Sequence, residues 1–266
     1  LTAAGTDVPR IDHERATGAP RGYLAEESRT NLLLDSTAPA TQTVTVASGT
    51  DHTLSVYGSG SAEVTAGGAG TATEGSPLTF TTTATSVTVT VTGALDVFQL
   101  EEGKGPTSPI VTGGSTVTRA ADQLYVLKSD LPDLPTLGTV FLRANMPRDP
   151  TQRSPLRIGG GASFATMKFE RTIGNWDGSA EIVTTNSVPE GADYAYAVGY
   201  DAADGSASLV LNGTTTPRAL DANGYATFGE FGVGYAQAFN AEHVNTTVAE
   251  VLWFPERLSD MVLEAE

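Results

Sequence analysis

Trp176 lies in "IGNWDGS", between Asn175 and Asp177 and bracketed by glycines. An aromatic ring beside an amide and a carboxylate can stack on a sugar face while the polar groups bind its hydroxyls. The flanking glycines predict a loop tip that would present the ring; a ring folded back on a sheet accounts for the same residues. "DAADGS" and "DANGY" place Asp201, Asp204, Asp221 and Asn223 in turns, as oxygen ligands suited to calcium. Neither completes a calcium loop, and Asp and Asn are also the default turn residues for backbone reasons. No other cofactor is expected. A third concentration of chemistry is "PRIDHERATGAPRGYLAEESRTNLL", Pro9 to Leu33. Within it Arg10, Arg15, Arg21 and Arg29 are interspersed with Asp12, Glu14, Glu26 and Glu27, groups that make charge-assisted hydrogen bonds at polar interfaces. Arg10, Asp12, Arg15, Arg21 and Arg29 are therefore candidates for docking to another domain, subunit or partner, the alternative being an arm that wraps its own domain.

No catalytic arrangement is expected. His13, His52 and His243 are far apart and lack metal-ligand spacing. No nucleophile elbow or phosphate-cradling loop occurs. Glycoside hydrolysis needs two carboxylates flanking one bond, and "GEFGVG" offers Glu230 alone.

The charge balance narrows the partners further. With 15 basic and 31 acidic residues the chain carries a formal charge of −16, which opposes both nucleic acid and anionic membrane surfaces. There is no cysteine, so disulfide and thiolate chemistry are absent. No apolar run is long enough to suggest membrane insertion. Because the chain begins with Leu1, a fragment or processed product is expected.

The elements that must position these residues are strands. Residues 1–30 show no periodicity and predict an extended arm. From residue 31 to 103, "TQTVTVA", "HTLSVYG", "PLTFTTT" and "SVTVTVTG" alternate apolar and hydroxyl residues, the pattern of half-buried antiparallel strands in a small β-sandwich. Residues 104–122, rich in Gly, Pro, Ser and Thr, predict a connector. Strand signals resume over 123–266. There "DYAYAVGY" puts Tyr194, Tyr196, Val198 and Tyr200 on one face, mostly as core, and Trp253 falls in an apolar strand. Asn212-Gly213 predicts a tight hairpin, because both turn residues need positive φ. "RLSDMVLEAE" predicts a short C-terminal helix, chiefly Leu258 to Glu264, with Ser259 as its cap. The fold class expected is all-β: two antiparallel β-sandwiches of jelly-roll type with an extended N-terminal arm.

The arm and "FQLEEGKGPTSPIVTGGSTVTRAAD" together resemble a pattern in tail-fibre and head-spike proteins of phages and of phage-derived gene transfer agents. There a Pro-Arg-Ile-Asp arm and an Arg-Thr-Asn-Leu-Leu stretch precede a carbohydrate-binding-module-like sandwich, and a Thr-Arg-Ala-Ala-Asp connector follows it. The match spans Pro9 to Asp122. The remainder, with "YAVGYDAADGSASLVLNGT" and "VAEVLWFPERLSDMVLEAE", resembles concanavalin A-like or laminin-G-like jelly rolls. These resemblances imply a non-catalytic spike or fibre on a virion assembled in the bacterial cytoplasm. It would bind cell-surface polysaccharide, capsule or lipopolysaccharide, beside other virion proteins or copies of itself. A purely structural connector or decoration protein and, third, a polysaccharide depolymerase remain the alternatives. No binding residue transfers from the family.

Overall fold

The structure is a computed structural model that describes residues 9–14, 17–127, 137–145, 153–160, 163–170, 172–176, 181–189, 191–201, 206–219, 230–233 and 245–259. Among these every regular element is a strand, and all strand pairs are antiparallel. The chain divides into two compact units: unit 1 is Ser28–Ala121, and unit 2 joins Thr2–Glu27 to Asp122–Glu266. Unit 1 is thus inserted into the chain of unit 2.

The N-terminal segment forms β1 (Ile11–His13) and β2 (Pro20–Ala25). Unit 1 then supplies β3 (Arg29–Asn31), β4 (Gln42–Thr45), β5 (Asp51–Tyr57), β6 (Ser61–Ala66), β7 (Gly70–Thr73), β8 (Leu78–Thr81), β9 (Ser86–Thr92), β10 (Val97–Glu102) and β11 (Val117–Arg119). They make sheets ordered β10-β5-β8 and β4-β9-β6-β7, with β11 paired to β3. The alternation of the sequence is realised directly: Val87 and Val89 are buried in a core with Leu33, Leu54, Val56, Val64, Phe98 and Leu100. On the opposite face Thr43 pairs with Thr88 at 2.8 Å and Thr65 with Thr90 at 3.1 Å, cross-strand hydroxyl contacts that add to the ladder.

Two strands of unit 1 break the alternation because they are covered on both faces. In β5 residues 52–56 are all buried, and in β10 residues 98–101 are. The cover is the segment expected to be a connector, which the structure instead makes part of unit 1. Ile110 is in its interior, and Gln99 accepts from Ile110 N at 2.6 Å. Glu101 accepts from Thr107 N at 3.0 Å and from the Thr107 hydroxyl, and Thr112 Oγ1 donates to Leu33 O at 2.6 Å. Asn31 ties the two ends together. Its amide donates to Ile110 O at 2.9 Å and Phe98 O at 3.3 Å, and its oxygen accepts from Leu33 N at 3.1 Å and Leu100 N at 3.2 Å. A fully buried amide with all four of these bonds is satisfied.

Unit 2 continues with β12 (Leu124–Leu127), β13 (Leu137–Asn145), β14 (Arg153–Gly160), β15 (Ser163–Glu170), β16 (Thr172–Trp176), β17 (Glu181–Ser187), β18 (Asp193–Asp201), β19 (Ser206–Leu211), β20 (Thr214–Ala219), β21 (Glu230–Val233) and β22 (Thr246–Phe254). The sheets run β1-β2-β22-β13-β18-β19-β20 and β12-β21-β14-β15-β16-β17. The core gathers Ala25, Val140, Leu142, Tyr194, Tyr196, Val198, Leu209, Leu211, Val233 and Val248, with Trp253 packed against it. The predicted hairpin joins β19 to β20: Asn212 has φ 46° and Gly213 φ 74°. Most of the expected C-terminal helix, from residue 260 on, lies outside the described residues; Leu258 and Ser259 carry no helix, and Leu258 N donates to Thr139 Oγ1 at 2.9 Å.

The described part of the N-terminal segment is therefore docked on another domain, as one of the expectations had it, rather than wrapped round the first sandwich. β2 pairs with β22, with Tyr23 opposite Val248 and Ala25 opposite Thr246. Gly22, at φ 141°, lets the strands approach: a Cβ there would sit 2.2 Å from Val248 O. Gly22→Ala is expected to destabilise unit 2 by about 2 kcal/mol through the strained φ and the displaced strand. A thermal melt in which that unit keeps its midpoint would refute the close approach.

Candidate functional site

The largest concentration of charge in the N-terminal segment closes on itself. Arg10 Nε donates to Asp122 Oδ1 at 2.9 Å, its Nη2 to Asp122 Oδ2, and its Nη1 to Glu26 Oε2 at 2.7 Å. Glu26 N donates to Asp122 Oδ2 at 2.9 Å, and Asp122 N to Glu26 O at 2.8 Å. The chain leaves unit 2 just after Glu26 and returns at Asp122, so this cluster joins the departing and returning segments. Burial works against the Arg10 charge, but the hydrogen bonds it donates to Asp122 and the charges of Glu26 and Asp122 outweigh it and raise its pKa.

The other docking candidates are placed as follows. Asp12 Oδ2 accepts from Thr247 Oγ1 at 2.8 Å and stands 3.8 Å from Arg21 Nη1. Arg29 belongs to unit 1, its guanidinium pressed against Gly103. Arg15 lies outside the described residues. The four described candidates thus stand against groups of their own chain, Arg21 through its ion pair with Asp12.

Asn175 and Trp176 end β16 rather than sitting on a loop tip. Asn175 is opposite Met167 and Ile182, and Trp176 opposite Thr166 and Glu181. Asp177 lies outside the described residues, as do the calcium candidates Asp204, Asp221 and Asn223. Asp201 ends β18, opposite Leu137 and Ser206. Among the described residues no group of three or more His, Asp or Glu is placed to hold a metal. His13 is exposed on β1, and His52 is buried in unit 1 with Nδ1 3.3 Å from Thr50 O. His243 lies outside the described residues.

Among the described residues of unit 2 the sheet carries a shallow pocket of about 180 Å³, lined by Arg21, Arg143, Ala144, Asn145, Asp193, Thr247 and Ala249. The residues come from β2, β13, β18 and β22. On β13, Val140, Leu142 and Ala144 are core residues, which leaves Arg143 exposed between them. Its side chain is 54% exposed and its nearest counter-charge is Glu250, 4.0 Å away on β22. Arg21 is 44% exposed, with Asp12 at 3.8 Å. Both separations exceed hydrogen-bond length, so neither counter-charge takes up the donors of its guanidinium. Beside them Asn145 Nδ2 bridges Asp193 Oδ1 at 2.9 Å and Gly191 O at 2.8 Å. The pocket therefore offers planar donor forks next to a fixed carboxylate, a surface that can bind hydroxyl groups as donor and as acceptor at once. Sequence reasoning missed Arg143, Asn145, Asp193 and Thr247. The available signal was an arginine in the otherwise apolar run "GTVFLRA".

Perturbed acidities lie elsewhere and mark packing. Burial pushes the Tyr194 phenol well above its usual value, with Tyr196 adding to it. Burial also raises the Glu101 carboxyl above its ordinary 4.5, against hydrogen bonds from Thr107 and Gln99 and the charge of Arg29. A raised folded pKa means that the folded state holds this proton more tightly than the unfolded chain. The contribution is complete below pH 4.5 and is lost as pH rises through the folded pKa. Relative to Glu101→Gln, the wild-type melting temperature should thus improve as pH falls from 7 towards 4.5; a pH-independent difference would contradict the shift.

Fold and site together define an all-β protein of antiparallel sheets, one unit inserted in the other, with a polar pocket on the sheet of the outer unit. No protein-family model matches the sequence, and no curated protein matches it. Solved structures similar to it include the native heptameric SAP-like pentraxin from Limulus polyphemus, at 13% identity and TM-score 0.41, covering 48% of this chain and 68% of that one. Another is the CBM40 of the Ruminococcus gnavus IT-sialidase, at 16% identity and TM-score 0.39, covering 48% and 81%. A third is domain 4 of AbnA, a GH43 extracellular arabinanase from Geobacillus stearothermophilus, in complex with arabinotriose, at 14% identity and TM-score 0.41, covering 49% and 66%. The β-sandwich architecture of this chain rests on its own strand pairing.

Proposed function

We propose that the chain is a non-catalytic attachment protein that binds cell-surface polysaccharide, capsule or lipopolysaccharide, as a spike or fibre of a phage-like particle. The observation that carries the binding half is the pocket of Arg21, Arg143, Asn145, Asp193 and Thr247, whose open donors and fixed acceptor suit a hydroxyl-rich ligand. The particle half rests on the resemblance of Pro9 to Asp122. Several residues of that resembling stretch have structural work within the chain: Arg10 and Asp122 clamp the crossing segments, and Asn31, Gln99 and Glu101 hold the covering loop. The pocket lining holds one carboxylate, Asp193, itself bonded to Asn145, and the two acids at its edge, Asp12 and Glu250, lie beside Arg21 and Arg143.

A shallow site of this size gives weak single-copy affinity, and attachment would depend on many copies acting together. On a glycan array, beads coated with the chain are expected to bind a defined subset of polysaccharides where the free chain gives little signal, at least about 100-fold apart by effective concentration. Failure of both forms on every glycan would favour the purely structural connector.

A further inference from the structure

We propose that the pocket of unit 2 selects neutral sugar units bearing adjacent hydroxyls and rejects uronic acids. The inference rests on the reading of unit 2 as a glycan-binding unit and names the chemical class that it takes. The lining brings two guanidiniums, Arg21 and Arg143, against one carboxylate, Asp193. Their nearest counter-charges, Asp12 and Glu250, add two more carboxylates at the edge of the same site. Three acids then accompany two bases, inside a chain whose formal charge is −16. A sugar carboxylate entering there meets more negative than positive charge, both locally and at long range. A pair of neighbouring hydroxyls meets no such opposition. Their lone pairs accept from a guanidinium fork, whose two parallel N–H groups match adjacent oxygens. Their protons can go to Asp193, which Asn145 and its bond to Gly191 O hold in place.

The two arginines are free to do this because neither is hydrogen-bonded to its counter-charge. Separations of 3.8 Å for Arg21–Asp12 and 4.0 Å for Arg143–Glu250 leave an electrostatic tether that orients each side chain without occupying its donors. Asp12 is further fixed by Thr247 Oγ1 at 2.8 Å. Such tethering limits the freedom each arginine loses on binding.

The test compares immobilised galactan, mannan and glucan with polygalacturonate, using multivalent beads of the full chain at about 10 mM and 150 mM salt, where charge repulsion reaches about 30 Å and 8 Å respectively. The expected result is retention on at least one neutral polymer at both salts and none on polygalacturonate. Arg143→Met and Arg143→Lys should both weaken retention about tenfold, because the loss is that of a charged hydrogen-bonding fork and not of charge alone. Asp193→Asn should weaken it as well, with melting temperatures unchanged in all three variants. Retention on polygalacturonate that Arg143→Met abolishes would overturn the neutral preference while leaving the glycan reading intact. Retention on a neutral polymer that Arg21→Met, Arg143→Met and Asp193→Asn all leave unchanged would place the site elsewhere. Retention on no polymer would overturn both.

Discussion

Deletion of residues 1–25 is expected to unfold unit 2 or lower its melting temperature by more than about 10 °C, while unit 1 melts as before. The deletion removes β1 and β2 from the seven-stranded sheet and so leaves β22 as an unpaired edge. It takes Ala25 from the core and Tyr23 from the layer packed on it. It also deletes Arg10, so that the carboxylates of Glu26, 6% exposed, and Asp122, 18% exposed, face each other with no cation between them. Leaving a buried charge unpaired costs about 3–5 kcal/mol, each lost ladder bond about 1 kcal/mol, and in a domain of this size 1 kcal/mol moves the midpoint by about 2–4 °C. Calorimetry that shows both units melting unchanged would mean that the segment is dispensable. Loss of the unit 1 transition instead would reassign the segment to the inserted sandwich.

Asn31→Ala is expected to destabilise unit 1 by about 4 kcal/mol or more, because four buried backbone groups lose a partner at once and each unsatisfied group costs about 1–3 kcal/mol. The groups are Phe98 O, Ile110 O, Leu33 N and Leu100 N. At about 4–8 °C per kcal/mol for a unit of this length the midpoint should fall by at least about 15 °C. Asn31→Gln, with the same groups one methylene further out, is not expected to rescue it. A loss under about 1 kcal/mol by denaturant titration would show that the covering segment 104–112 is held by other means.

The strands of unit 1 were legible because Val87, Val89 and Val91 alternate with threonines, and a two-residue period leaves few other structures open. The β19–β20 hairpin was legible because Asn212-Gly213 is a local signal with a local cause. What was not legible was every feature made by pairs distant in sequence. β1, β3 and β11 are three residues long, too short to show a period. Arg10 finds Asp122 at a separation of 112 residues, and Glu27 N finds Asn245 Oδ1 at 218. No local rule distinguishes a charged segment that clamps its own chain from one that docks on another molecule. The same limit hid the covering of β5 and β10. Gln99 and Glu101 alternate with Phe98 and Leu100 along β10, and their burial follows from a loop whose composition resembles a linker. The pocket, too, is assembled by register: Arg143 stands across from Glu250 and Ala195, one position from the Ala144–Tyr194 pair.

The most direct test of glycan binding without cleavage is one mixture read twice. Full-length protein on multivalent beads is incubated for a day with high-molecular-weight cell-surface polysaccharide from bacteria. The bound fraction is measured, and the released polymer is run on a sizing column. Saturable retention of the polysaccharide with an unchanged length profile is the predicted result. Shortened polymer would make the chain a depolymerase, and the absence of retention on any polysaccharide preparation would contradict the account.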